Sequence, residues 1–333
     1  MNKTVVKASI FLVILVFAIA FPYLGVNSYQ VSLAQTILIA AMLASALNFL
    51  IGDAGMPSLG HGAIAAASSY AVAWASQQGM GPGGQLMVAL GITIIVSLVY
   101  GVLSMRTFGI YFLMVTLALG MVIWGLAYRW SSVTGGENGI TGVKSPAAIS
   151  DYWVYYYVVL FFFLGTTALL WVVSKSPFGA SLRGIRDSAS RMRSLGYNVS
   201  AYKVGAFMIS GLVSGAAGVF AVWHTYFISP SAAGIGRSVL LIVMVILGGV
   251  GTVWGPLIGA AIVVLVENVL SISVERWPTI LGLIFIFVIL FARAGIVGSI
   301  NKFLARRGQE KPVDPPGDRG SVDATASAGN HKK

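Results

Sequence analysis

Cysteine is absent from the 333 residues, which excludes disulfide frameworks, thiolate nucleophiles and cysteine-ligated metals. Charge is nearly as scarce: Asp, Glu, Lys and Arg make up 9% of the chain, against about 25% in an ordinary soluble domain. A soluble fold of this size would need more charge to cover its surface, whereas lipid needs no such cover. Histidine is rare as well. His61, His224 and His331 stand too far apart for a helical metal motif of the H-E-x-x-H kind.

What the chain has in quantity is apolar surface, with 57% hydrophobic residues and a mean hydropathy of +0.86. Apolar stretches fall at 8–21, 31–51, 86–103, 108–128, 152–173, 204–223, 238–272 and 277–292, several of them near the roughly 20 residues that carry a helix across a bilayer. Breaks at Gly, Pro, Asn and charge divide the chain into ten helical segments: 8–26, 31–51, 57–77, 85–104, 108–129, 152–173, 204–225, 235–250, 254–272 and 277–293. The expected fold is therefore all-α and polytopic. The eighth and ninth segments share one apolar stretch interrupted only by GGVGTVWGP, Gly248 to Pro256, the pattern of a broken or partly re-entrant helix. The start MNKTVVK with Ala18 and Ala20 has the outline of a signal peptide, but Pro22 and the following array of spans favour a retained first span.

The formal charge of +11 is distributed unevenly along this array. With a cytoplasmic N-terminus and ten crossings, 17 basic residues fall inside and four outside, namely Arg129, Lys144, Arg237 and Arg276. Discounting Arg319, Lys332 and Lys333 as remote from any span leaves 14 against four. The bias predicts cytoplasmic termini and accounts for the net charge without nucleic acid.

Residues 1–304 thus read as a transmembrane domain, with an outside loop at 130–151, an inside segment at 174–203 and a tail at 305–333 expected to be disordered. In the inside segment Leu182, Ile185, Ala189 and Met192 share one helical face. Arg183, Arg186, Asp187, Arg191 and Arg193 lie opposite, Arg183 to Asp187 and Asp187 to Arg191 being four-residue pairs, and Gly196 is a stop. Such a helix either lies among lipid headgroups or docks into a partner protein.

Polar groups at membrane depth are few: Asn48, Ser58, His61, Thr116, His224, Glu267 and Asn268. Glu267 is the costliest, and divides between a path-lining role and a satisfied structural contact near the outer end of its span. His61 lies on the same helical side as Ser58, but the absence of a rhomboid-like G-x-S-G pattern or paired intramembrane aspartates argues against hydrolysis. Small residues recur at Ala40, Ala44, Gly60, Ala63 and Ala67, at Gly211, Gly215 and Gly218, and at Gly251, Gly255 and Gly259. They permit close helix packing, or around Pro they interrupt a helix and expose carbonyls. GMGPGG (Gly79 to Gly84) is a turn between spans rather than a dinucleotide fingerprint, and GITGVKS (Gly139 to Ser145) lacks the G-K-[ST] of a phosphate loop.

MPSLGHGA (Met56 to Ala63), RTFGIYFLMVTLALG (Arg106 to Gly120), TGGENGITG (Thr134 to Gly142), FGASLRGIRDSASRMRSLGYNVSAYK (Phe178 to Lys203) and VILGGVGTVWGPLIGAA (Val245 to Ala261) resemble the branched-chain amino acid ABC transporter permeases of the LivM type. The resemblance spans about residues 30–295 and implies a type II-like ABC importer permease in a bacterial inner membrane. It implies a homologous second permease as heterodimer partner, two cytosolic ATPase subunits that use ATP and Mg, and a periplasmic binding protein. No cofactor is expected on this chain, and no catalysis. The family's coupling motif maps to Gly179, Arg183, Arg186, Asp187, Leu195 and Gly196. Here Ser188, Ala189 and Ser190 follow IRD where an acid is common, leaving Asp187 as the sole acid of the segment. Gly109, Tyr111, Thr116 and Thr134 become path candidates by motif resemblance, beside Asn48, Ser58, His61 and Glu267. The threonines equally suit bonds to helix carbonyls, and Tyr111 an interfacial anchor. Relatives that import urea, short amides or other amino acids leave the substrate open. An ion-coupled carrier and a purely structural membrane subunit are the competing classes.

Topology reporters test the charge bias directly. Fusions after Lys144 should read outside and fusions after Arg193 or Lys302 inside, and an outside signal at Arg193 would reverse the assigned orientation.

Overall fold

The computed structural model describes Phe21, residues 27–270, and positions 279, 280, 282, 283, 286, 287, 290 and 295–299. The expected spans at 8–26 and 277–293 lie largely outside the described residues, and the tail at 305–333 entirely so. The other eight segments are helical. They are α1 (Ser28–Gly52), α2 (His61–Gln77), α3 (Pro82–Ser104), α4 (Ile110–Arg129), α5 (Tyr152–Lys175), α8 (Val199–Thr225), α9 (Ile235–Gly248) and α10 (Gly255–Leu265). Two short helices, α6 (Pro177–Asp187) and α7 (Ala189–Ser194), lie between α5 and α8. Among the described residues five helices, α1, α3, α4, α5 and α8, are long and apolar enough to cross a membrane. The protein is an all-α polytopic membrane protein with at least these five spans.

Starts of helices follow local chemistry. Asp151 accepts from Trp153 N at 3.1 Å, Asn198 accepts from Ala201 N at 3.1 Å, and Pro82 and Pro256 open α3 and α10, where a missing N–H costs nothing.

The polarity of packing is inverted relative to a soluble protein. Along α3 the buried stripe is Gln85, Ala89, Thr93, Ser97, Gly101 and Ser104 with Tyr100 beside it, while Met87, Leu90, Ile95, Leu98 and Leu103 are exposed. Small and polar residues face protein and large apolar ones face outward, as lipid demands. The stripe meets the glycine row of α8: a Cβ on Gly211 would overlap the Ser97 side chain, one on Gly215 the Thr93 side chain, and one on Gly218 the Ala65 carbonyl of α2. Close packing is therefore the role of this row. Buried hydroxyls add bonds across the same contacts, Ser68 to Gly215 O at 2.9 Å and Ser69 to Gly218 O at 2.7 Å.

The loops gather at two ends. One end brings together 130–151 and 225–235, where β1 (Ile140–Thr141) pairs antiparallel with β2 (Phe227–Ile228) in the register Ile140 to Ile228. The other end carries Arg106, Lys175, Arg183, Arg186, Arg191, Arg193 and Lys203 and is called the arginine-rich end. Here α9 stops after 14 residues and α10 turns back from Gly249–Trp254. At about 1.5 Å per residue α9 is shorter than the hydrocarbon thickness, and residues 249–254 form the interruption expected at GGVGTVWGP.

Replacing Gly215 by Leu should lower the unfolding midpoint of the purified protein, with overpacking costing at least about 1–3 kcal/mol. Gly125→Leu, where a Cβ meets nothing within 4 Å, should leave it unchanged; equal losses would refute the packing role.

Candidate functional site

The inside segment forms two helices rather than one. Ser188 is extended at φ −160° and accepts from Arg191 N at 3.4 Å, capping α7 and ending α6. A serine whose hydroxyl can start a new helix competes with continuing the old one. Leu182 and Ile185 are buried, as the periodicity requires, and α7 ends at Gly196, whose φ of +86° suits glycine.

The ion pairs also differ from the four-residue spacing. Arg183 Nη1 lies 2.7 Å from Asp53 Oδ1 and 2.7 Å from Ser174 O. Arg186 donates to the Gly52 carbonyl and pairs with its neighbour Asp187 at 3.3 Å. The Asp53 side chain is 15% exposed and that of Asp187 71%, so Arg183 finds its stronger, less screened partner across space rather than along the helix. Gly179 is required by close approach, since a Cβ there would strike the Ser174 carbonyl. Opposite this clasp, Asp187, Arg191, Arg193, Leu195 and Tyr197 face outward; Leu195 is 67% exposed.

Polar candidates at depth mostly bond to backbone. Thr116 Oγ1 accepts from Leu59 N at 3.1 Å and donates to Leu113 O at 3.0 Å. Ser58 Oγ accepts from Gly60 N at 3.1 Å, so it does not pair with His61. His61 instead meets Ser210: its Nε2 is 2.6 Å from Ser210 Oγ, which donates to Ala46 O at 2.6 Å. With that hydroxyl proton committed, the imidazole N–H belongs on Nε2. Thr134 donates to Ala127 O at 2.7 Å, and Asn48 holds Gly251 N at 2.8 Å and Thr252 O at 2.9 Å. Glu267, in the π-helical turn Val266–Leu270 that follows α10, pairs with Arg237 at the start of α9 at 3.4 Å. His224 Nε2 lies 3.2 Å from Thr36 Oγ1 and its ring stacks on Tyr155. Gly109 and Tyr111 are exposed at the start of α4. A cavity of about 50 Å³ brings Gly109 together with Arg186 and Lys203.

Lys203, Asp53 and Ser210 are structural anchors that pattern alone does not single out. Lys203 Nζ is buried against Thr107 O at 3.1 Å and lies 3.3 Å from the Phe108 ring centre. Asp53 did leave a trace, as the one acidic residue among the first 136. Among the described residues no group of three His, Cys, Asp or Glu side chains could hold a metal.

These features define a helical membrane protein whose polar residues brace irregular backbone and whose charged face lies at one end. The chain belongs to the family described as the branched-chain amino acid transport system permease component, matched over residues 29–294. It is a transport permease rather than an enzyme. The high-affinity branched-chain amino acid transport system permease protein LivM of Salmonella typhimurium is 26% identical, covering 89% of this chain and 76% of that protein. LivM of Escherichia coli strain K12 gives the same values. The autoinducer 2 import system permease protein LsrC of Photorhabdus laumondii is 27% identical over 37% of this chain and 40% of its own. No solved structure matches.

Lys203→Met should leave the Met105 and Thr107 carbonyls without their donor and cost roughly 1–3 kcal/mol. Thermal unfolding and protease cleavage around 105–109 check this; an unchanged midpoint with no new cleavage would exclude the anchoring role.

Proposed function

We propose that the chain is a LivM-type permease subunit of an ATP-binding cassette importer for leucine, isoleucine and valine. It would sit in a bacterial inner membrane with both termini and the arginine-rich end in the cytoplasm. Its partners would be a homologous permease, two cytosolic ATPase subunits that use ATP and Mg, and a periplasmic binding protein facing 130–151. The observation that carries the reading is the two-sided α6–α7 segment. One face is clasped to α1 through Arg183 and Arg186, while Arg191, Arg193, Leu195 and Tyr197 are presented outward. Arginine and tyrosine around an exposed apolar side chain suit a protein contact better than a lipid surface alone.

Transport on this reading is alternating access. The binding protein delivers substrate to the space between the two permeases, and ATP binding in the partners favours one arrangement of a bistable membrane pair. Only differential affinity for the two arrangements can move the equilibrium. The branched-chain assignment draws support from the names of the two LivM relatives and from the scarcity of charge, which suits an aliphatic zwitterion. Pairing of Glu267 with Arg237 engages the acid that an ion-coupled carrier would use.

Purification with the neighbouring subunits should recover two ATPases and a second permease. In that complex Leu195→Asp should lower substrate-stimulated ATP hydrolysis by about tenfold with membrane insertion retained. Uptake of radiolabelled leucine should resist competition by urea and glutamate and yield to isoleucine. Transport of urea without leucine would overturn the substrate, and absence of any ATPase partner would overturn the class.

A further inference from the structure

Helix α6 with the end of α5, and the turn between α9 and α10, converge on the last turns of α1. On one side, Asp53 Oδ1 receives Arg183 Nη1 at 2.7 Å and Ser174 Oγ at 2.9 Å, and the Gly52 carbonyl accepts from Arg186. On the other, Asn48 applies both ends of its amide to the turn between α9 and α10, accepting from Gly251 N at 2.8 Å and donating to Thr252 O at 2.9 Å. Contact continues between them, since a Cβ on Gly52 would sit 2.8 Å from Gly251 Cα. Asn48 and Asp53 are five residues apart, so they project from the helix about 140° apart and about 7.5 Å along its axis. The end of α1 is thus gripped by the α6 side and grips the turn.

The grips differ in chemistry, and the difference matters. Asp53 with Arg183 is a charge-assisted bond whose carboxylate is mostly shielded from water while the guanidinium is 37% exposed. The Asn48 amide fixes two backbone groups at once, so the turn must follow its position or lose both bonds. A cavity of about 150 Å³ adjoins the joint, lined in part by Asn48, Asp53, Thr167, Ser174 and Thr252. Thr167 Oγ1 is buried there with no hydrogen-bond partner. The cavity is open on one side, so the end of α1 is not packed against protein all round at this point.

We infer that the C-terminal end of α1, through Asp53 and Asn48, is the joint that carries displacement of α6 to the turn between α9 and α10. The inference rests on the permease reading above and assigns its coupling step to named positioning residues. Each acts through the protein groups it holds, Asp53 through Arg183 and Asn48 through residues 251 and 252. Coupling between sites needs an element with two arrangements that both sites bias. The joint supplies the physical connection: push α6, and Arg183 and Arg186 draw on residues 52–53, while Asn48 hands the shift to residues 251–252.

The absence of native cysteine makes the turn easy to watch in the assembled complex in lipid nanodiscs. With Val253→Cys, which replaces a 40% exposed side chain, thiol labelling of this subunit should change about threefold or more on addition of ATP and vanadate. In Asp53→Asn and in Asn48→Ala that response should vanish, and substrate-stimulated hydrolysis should fall about tenfold while basal hydrolysis and subunit assembly persist. The exchange Asp53→Arg with Arg183→Asp should restore the labelling response, which separates a directional joint from a mere staple. Persistence of the response in both single variants overturns the inference while leaving the permease reading intact. A single variant that fails to assemble and is not rescued by the exchange overturns it too. A parent complex with no ATP response at all overturns the coupling reading from which the inference starts.

Discussion

A backbone amide or carbonyl left unpaired in hydrocarbon costs several kcal/mol, and the positions of most buried polar side chains here answer to that penalty. Two stretches abandon helix at the arginine-rich end, residues 53–60 and 249–254. Thr116 and Ser58 satisfy amides of the first, and Asn48 satisfies both an amide and a carbonyl of the second. Irregular backbone is tolerated where side chains of neighbouring helices supply hydrogen bonds that lipid cannot. Lys203 extends the same service to the loop before α4, with its ammonium turned to carbonyls.

Once the backbone is satisfied, helices hold together by contact rather than by escape from water. Lipid tails are as apolar as leucine, so burial of apolar area between helices gains little, and close approach gains more. The meeting of α3 with the glycine row of α8 is built on that basis, and α2, buried almost all round, is wedged against both. A core of α1, α2 and α8 follows, with looser space where α1, α5 and the α9–α10 turn meet. Rigid elements with room at one end are what a transport subunit needs if movement is to be directed rather than dissipated.

The arginines of α6 and α7 divide between two tasks although they look alike in sequence. Arg183 and Arg186 are directed inward to α1, while Arg191 and Arg193 stay at the surface beside Leu195. The break at Ser188 makes the division possible, because a continuous helix would have kept all of them on one periodic face.

Sequence alone determined the solvent of this protein, its helical class and most of its segment ends. Those properties follow from composition, from runs near 20 residues and from Gly, Pro and capping residues, all local in the chain. It also marked the interruption after Gly248 and the stop at Gly196, because glycine clusters act where they stand. Tertiary structure alone decided who bonds to whom. Arg183 chose Asp53, 130 residues away, over Asp187 at helical spacing, and His61 chose Ser210 over Ser58. Spacing along a helix reports which partners are reachable locally; it is blind to a carboxylate or hydroxyl brought in by another element, where lower exposure makes the distant bond the stronger one.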